Sequence, residues 1–359
     1  MLEFDNDSIS PSAVGLAPHG LASFSGYAMQ RQQDIQTWLA KIFPGSTITL
    51  APASTDASFR RYFRVALDDG TTRIVMDAPP QYEDIAPWLS VQRHLQAAGV
   101  HVPNVEAQDL QQGFLLISDL GTTTYLDVLS EGNANTLYAE ALTSLVAIQK
   151  IQRPEQLPAY DAALLRRELE LFPEWFLRKH HELSLSNDEQ SKLATLFDRI
   201  IARNLAETQV FVHRDYHSRN LMLTSPNPGI IDFQDAVWGP LSYDAVSLLK
   251  DAYIQWDEEQ TLDWLIRYWE RAKNAGVNVP TDFADFFANY EWMGVQRHLK
   301  ILGIFARLFH RDGKDGYLKE LPRVTNYLRK ACDRYGELRP LLRLLDRVDE
   351  RAPQVGYTF

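Results

Sequence analysis

The feature that most constrains this chain is the stretch Val212-His213-Arg214-Asp215-Tyr216-His217-Ser218-Arg219-Asn220-Leu221-Met222-Leu223, followed shortly by Ile230-Ile231-Asp232-Phe233. Apolar runs bracket a polar loop, so the segment reads as strand, tight loop, strand, and a third short strand that ends in a carboxylate. The loop holds nearly every group that phosphoryl transfer requires.

That chemistry explains the spacing. A hydroxyl attacking a nucleotide's terminal phosphate needs a carboxylate to orient it and take its proton, and magnesium to offset charge on the phosphates. Asp215 is the candidate base. Asn220 and Asp232 are the candidate magnesium ligands, since magnesium prefers hard oxygen donors. The spacing follows the pattern His-Arg-Asp-x-x-x-x-Asn, with Asp232-Phe233 where Asp-Phe-Gly would stand. Gln234 replaces the glycine, and no Ala-Pro-Glu follows. A histidine-rich loop buried by chance would not share the joint spacing of six such groups.

The variant written here, His-x-Asp-x-His-x-x-Asn followed by Ile-Asp-Phe, resembles the aminoglycoside phosphotransferase family of small-molecule kinases. The resemblance implies an α+β, protein-kinase-like bilobal fold, with an antiparallel sheet lobe first and a larger, mostly helical lobe after it. It implies ATP and Mg2+ as cofactors. His213 would be a structural histidine under the loop, and Asp244 would tie down the loop's backbone. His217 stands two residues after the base, where protein kinases carry a lysine facing the transferred phosphate, which makes it a catalytic candidate.

Length and composition agree with such a chain. At 359 residues two lobes are expected: a flexible tail over 1–30, a nucleotide-binding lobe over 31–121, and a catalytic and substrate-binding lobe over 122–359. No apolar run is long enough to span a membrane, and acids near the N-terminus argue against a signal peptide. Cys332 is the sole cysteine, which excludes internal disulfides and suits a reducing cytoplasm. A net charge of −11 disfavours nucleic acid or an anionic membrane as partner.

In the first lobe a helix is expected from Arg31 to Phe43, then strands over Ile48–Leu50, Phe59–Leu67 and Thr71–Asp77, a helix over Ile85–Ala98, and strands over Val105–Asp109 and Phe114–Asp119. The turn around Ser58 would lie over the nucleotide phosphates in a kinase-like lobe. By resemblance the backbone of Ser118 and Leu120 forms the hinge that holds an adenine edge. A kinase lobe normally pairs a lysine on its third strand with a glutamate on the next helix. No lysine lies between Lys41 and Lys150, and the helix over 85–98 has no acid. Arg60, Arg61, Arg64 or Arg73 could supply the missing phosphate contact. A solvated hairpin, or loss of activity, is the other reading.

From Thr122 the chain reads as largely helical, including a long segment over 283–309 with a possible break. Its stretch from Asn289 to Leu308 mixes polar with apolar residues, and Gln296, Arg297 and Lys300 are the candidate substrate contacts. Three motifs extend the resemblance within the superfamily: Asp-Ala-Ser-Phe-Arg-Arg-Tyr-Phe-Arg, Ile-Asp-Phe-Gln-Asp-Ala-Val-Trp-Gly-Pro and Gln-Arg-His-Leu-Lys-Ile-Leu-Gly-Ile-Phe-Ala-Arg-Leu. In these the chain is similar to the anomeric amino-sugar kinases of cell-wall recycling, which act on N-acetylmuramic acid and N-acetylglucosamine. An aminoglycoside or amino-alcohol phosphotransferase, or a nucleotide-binding pseudokinase, stands as the alternative. A pseudokinase has no need to keep Asp215, Asn220 and Asp232 together.

Overall fold

A computed structural model of the chain describes residues 18–54 and 59–350, and it divides into two compact units. One takes in the chain up to Arg93 with His101–Thr122 and Met222–Asp235, and the other comprises His94–Val100, Thr123–Leu221 and the chain from Ala236 onward. Of the expected tail, residues 1–17 lie outside the described residues, while the first helix, α1, already begins at Pro18 and runs to Ile42.

The first unit is built on a five-stranded antiparallel sheet in the order β1-β2-β3-β5-β4, made of β1 (Ile48–Ser54), β2 (Arg61–Leu67), β3 (Thr72–Asp77), β4 (Val105–Asp109) and β5 (Phe114–Ser118). Alternation along β2 sends Phe63 and Val65 to one face, where they meet Val75, Phe114 and Leu116 and bury Ile35, Trp38 and Leu39 of α1. Arg64 points to the other face. At the β4–β5 turn Gly113 has φ +74°, and a Cβ there would sit 1.9 Å from the Ala78 carbonyl oxygen, so only glycine fits. The helix α2 (Ala86–Ala97) follows β3.

The other unit is largely helical. Its helices are α3 (Tyr125–Val128), α4 (Ala134–Gln149), α5 (Ala162–Leu171), α6 (Asn187–Leu205), α7 (Tyr243–Leu249), α8 (Glu258–Asn274), α9 (Phe283–Asp312), α10 (Leu321–Arg334) and α11 (Arg339–Val348). After α5 the chain widens into a π-helix over Phe172–His180, and Pro173, which has no N–H to donate, stands where the change occurs. The long segment read with a possible break is one continuous helix. α9 runs unbroken from an Asp282 side-chain cap on Ala284 N–H to a left-handed Gly313, and every residue from Tyr290 to Ala306 is buried. It packs against α5, α6, α7, α8 and α10. Gly303 lets it approach closely, because a Cβ there would lie 2.5 Å from the backbone of Leu171.

Four short strands frame the loop described above: β6 (Gln209–Val212), β7 (Leu221–Met222), β8 (Gly229–Ile230) and β9 (Val237–Pro240). β6 pairs antiparallel with β9, and β7 pairs with β8. Trp238-Gly239-Pro240 is strand despite its Gly-Pro pair: Phe211 lies opposite Trp238 and Val210 opposite Gly239. Pro240 is tolerated because it closes the pairing, opposite Gln209 at the strand's end.

Candidate active site

In the helical unit the loop from His213 to Asn220 leaves β6 and returns to β7, and buried side chains hold its backbone. Asp244, in the first turn of α7, accepts the N–H of His213 at 2.7 Å and that of Arg214 at 3.0 Å. Arg214 has φ +75°, a strained value for a residue with a side chain, and these bonds help hold it there. His213 Nδ1 accepts the N–H of Asp215 at 3.2 Å. The His217 N–H donates to the Asp215 carbonyl at 3.0 Å, and the Asn220 amide nitrogen donates to the same oxygen at 3.0 Å. The loop is thus a closed turn with Asp215 and Asn220 fixed relative to each other.

Below this turn lies a polar cluster from three helices and the preceding loop. Glu168 of α5 receives Arg214 Nη2 at 2.7 Å, Lys300 Nζ at 3.2 Å and Gln296 Nε2 at 2.9 Å, and it also bonds Tyr160. Burial opposes ionisation of Glu168, but Lys300 and Arg214 beside it hold its carboxyl down at about 2. Arg297 donates to the Arg214 carbonyl and to the Tyr243 hydroxyl, both at 3.1 Å, and Lys300 donates to the same hydroxyl at 2.8 Å. Gln296, Arg297 and Lys300, the residues picked for substrate contact, are each no more than 2% exposed and bond to groups inside the protein.

His217 is different. It is 1% exposed, and among the described residues neither ring nitrogen has a hydrogen-bond partner. Burial, with Arg297 and Arg219 nearby, pushes its pKa well below the usual histidine range, so the ring is neutral near pH 7. Buried polar atoms left without a partner cost free energy.

Two residues that the sequence reading passed over also shape the loop. Asp251 accepts the N–H of Ser218 and that of Tyr253, each at 2.9 Å. Glu168 gathers the cations just described. A lone acid among Leu165, Leu169 and Phe172 on the apolar face of α5 was the available signal for it.

In the sheet unit, Asp232 has φ +64° and is 7% exposed, and its Oδ1 accepts from the Gln234 amide at 2.7 Å. Phe233 packs against Trp88 of α2 in a tilted pair, with ring centres 5.0 Å apart. A carboxylate is a hard oxygen donor of the kind magnesium takes. Among the described residues no group of three or more His, Cys, Asp or Glu could hold a metal by itself.

The arginines of β2 and its approach have protein partners. Arg61 bonds the buried Asp77, which Arg31 of α1 holds from the other side. Arg64 forks onto Asp119 at 2.6 and 3.0 Å and reaches the Gly121 carbonyl at 3.0 Å. Arg60 Nε lies 3.9 Å from Glu83, and Arg73 bonds Glu106 at 2.6 Å. Ser58 lies outside the described residues. The Ser118 N–H donates to the Asn104 carbonyl at 2.9 Å, and the Leu120 side chain packs on Gly229, where a Cβ would meet it at 3.0 Å.

A family model described as "Phosphotransferase enzyme family" matches residues 49–277. The chain is 46% identical to a protein named N-acetylmuramate/N-acetylglucosamine kinase from Neisseria meningitidis serogroup B, over 92% of this chain and 100% of the relative. It is 48% identical to one of the same name from Pseudomonas aeruginosa, over 90% of this chain and 98% of that relative. Among solved structures it is similar to the ADP-bound aminoglycoside phosphotransferase APH(2'')-Ib, with a TM-score of 0.55 at 15% identity, covering 82% of this chain and 97% of that one. This last likeness shows the fold.

Proposed function

Because the chain belongs to the phosphotransferase enzyme family, we propose that it is an ATP-dependent sugar kinase that phosphorylates the anomeric hydroxyl of N-acetylmuramic acid and N-acetylglucosamine. The observation that carries this reading is the match, at 46–48% identity, to relatives of that name along 98–100% of their own length. Asp215 orients the anomeric hydroxyl and accepts its proton as the oxygen attacks the terminal phosphorus and the bond to the nucleoside diphosphate breaks. His217, neutral and with both nitrogens unspent, meets the transferred phosphoryl group or the sugar beside it. Asn220 and Asp232 are the proposed magnesium ligands, and an ion held there would offset charge on the phosphates.

The Leu120 N–H and the Ser118 carbonyl are proposed to hold the adenine edge, and Ser58 with Arg60, Arg61 and Arg64 to line the phosphates. His213 and Asp244 support the loop. Gln296, Arg297 and Lys300 bear on the substrate by way of that loop, because their side chains end on Glu168, Arg214 and Tyr243. The lone Cys332, buried with its thiol pushed up to about 12, suits the reducing cytoplasm in which such a kinase would find ATP.

The acceptor position is tested with blocked sugars. Only a reducing sugar has a free anomeric hydroxyl, so free N-acetylmuramic acid and N-acetylglucosamine should be phosphorylated and their methyl glycosides should not. The product should be an acid-labile sugar 1-phosphate. A methyl glycoside phosphorylated at a comparable rate would move the reaction to another hydroxyl, and activity on aminoglycosides alone would overturn the reading.

A further inference from the structure

The cations on and under the catalytic loop fall into two kinds. Among the described residues Arg214, Arg297 and Lys300 each end on an oxygen inside the protein. Arg219, four residues after Asp215 and two after His217, has two neutral tyrosines, Tyr253 and Tyr317, as its neighbours. Its guanidinium lies 4.8 Å from the centre of the Tyr253 ring and 5.9 Å from that of Tyr317. No described carboxylate lies within ion-pair distance of it. Asp127, whose charge reaches it, spends one oxygen on both the N–H and the hydroxyl of Thr124, each at 2.8 Å.

The group is held in place. Asp251 fixes the N–H of Ser218, just before Arg219, and also the N–H of Tyr253, whose ring lies beneath the guanidinium. The Leu126 N–H takes the Ser218 carbonyl at 3.1 Å. Behind the rings, Phe305 of α9 packs on Tyr317 at 5.2 Å and on Tyr253 at 6.2 Å. Tyr253 also meets the His217 ring at 5.4 Å, so one aromatic wall carries both the half-buried arginine and the histidine with unspent nitrogens. Tyrosines are neutral partners, so they leave the guanidinium's charge without a counter-ion among the described residues, and a carboxylate fits a guanidinium fork with two bonds.

We propose that Arg219 binds the lactyl carboxylate of N-acetylmuramic acid and so sets the preference for this sugar over uncharged N-acetylglucosamine. The inference rests on the amino-sugar kinase reading above and assigns the acidic half of its specificity to one residue. The two substrates differ by the lactyl ether alone, so an enzyme that discriminates between them must do so at the carboxylate or its short linker. The pairing is charge-assisted and partly desolvated, which makes it worth about tenfold or more in kcat/KM.

The test measures kcat/KM for N-acetylmuramic acid, its lactyl methyl ester and N-acetylglucosamine in the wild type, Arg219→Lys and Arg219→Gln. The ratio of acid to N-acetylglucosamine should fall about tenfold or more in Arg219→Gln and by less in Arg219→Lys, which keeps the charge but loses the fork. The ratio of ester to N-acetylglucosamine should stay flat across the three proteins. An equal fall for acid and ester, an unchanged acid ratio, or an effect confined to the KM for ATP would overturn the proposal, the last by placing Arg219 on the phosphates. A wild type that phosphorylates neither free sugar would instead overturn the reading on which it rests.

Discussion

Arg297, near the middle of α9, donates from Nη1 to the main-chain carbonyl of Arg214, 3.1 Å away and one residue before Asp215. A side chain from the central helix thereby fixes the backbone that aims the proposed base. Its second bond, to the Tyr243 hydroxyl, adds the first turn of α7 to the same arrangement.

Arg297→Ala should therefore lower kcat well beyond its effect on KM and reduce unfolding free energy by on the order of 3 kcal/mol, since buried hydrogen-bond partners lose a charged donor. Arg297→Lys should fall between. Steady-state kinetics beside denaturant melts would check this, and an alanine variant with wild-type kcat would remove Arg297 from the positioning role.

Asp215→Asn keeps the size of the side chain and removes its charge. Nucleotide affinity should stay close to wild type while turnover drops about a hundredfold or more. Calorimetry with the nucleotide and a coupled assay separate the two quantities. Turnover near the wild-type rate would end the assignment of Asp215 as base.

Glu207 gives a pH signature in stability. Its carboxylate accepts from the Ser242 N–H at 3.1 Å and from the Ser242 hydroxyl at 2.9 Å, yet burial pushes its pKa up to about 7. The folded state then holds this proton more tightly than the unfolded chain. Its contribution is present in full below the unfolded value of about 4.5 and is lost as pH rises to about 7, a change on the order of 3 kcal/mol. Burial raises Asp244 to about 7 in the same sense. Denaturant melts between pH 5 and pH 8 should show stability declining with pH, and Glu207→Gln should flatten the decline; an unchanged slope would show that Glu207 does not titrate in this window.

The arginines of the first unit separate by stability and binding. Arg61→Ala removes one of two cations from the buried Asp77, so it should lower the melting temperature. Nucleotide affinity, measured by calorimetry, should weaken in at least one of Arg60→Ala, Arg61→Ala and Arg64→Ala. Unchanged affinity in all three would mean that another element carries the phosphate contact.

Much of this arrangement was legible in the sequence because it depends on neighbours along the chain. Two-residue alternation around Phe63 and Val65 marks β2, and apolar spacing marks α4 from Ala134 to Gln149. The spacing of His213, Asp215 and Asn220 marked the loop, because one tight turn brings them together.

Other features depended on residues far apart in sequence. Gln296, Arg297 and Lys300 looked like a ligand-facing row, yet α9 is buried on every side here, so helical periodicity no longer separates an inner face from an outer one. What these residues meet was decided by Glu168, 128 positions before Gln296, which packing brings under the loop. Arg219 was passed over for the converse reason. By itself it is one more charged residue in a polar loop, and only packing shows that its guanidinium lies beside Tyr253 and Tyr317, supplied by later segments, with no carboxylate among the described residues within ion-pair distance. Local pattern determined the elements and the chemistry of the loop, whereas the fate of each buried charge followed from long-range packing, because a charge removed from water is stable only beside whatever partner the fold brings to it.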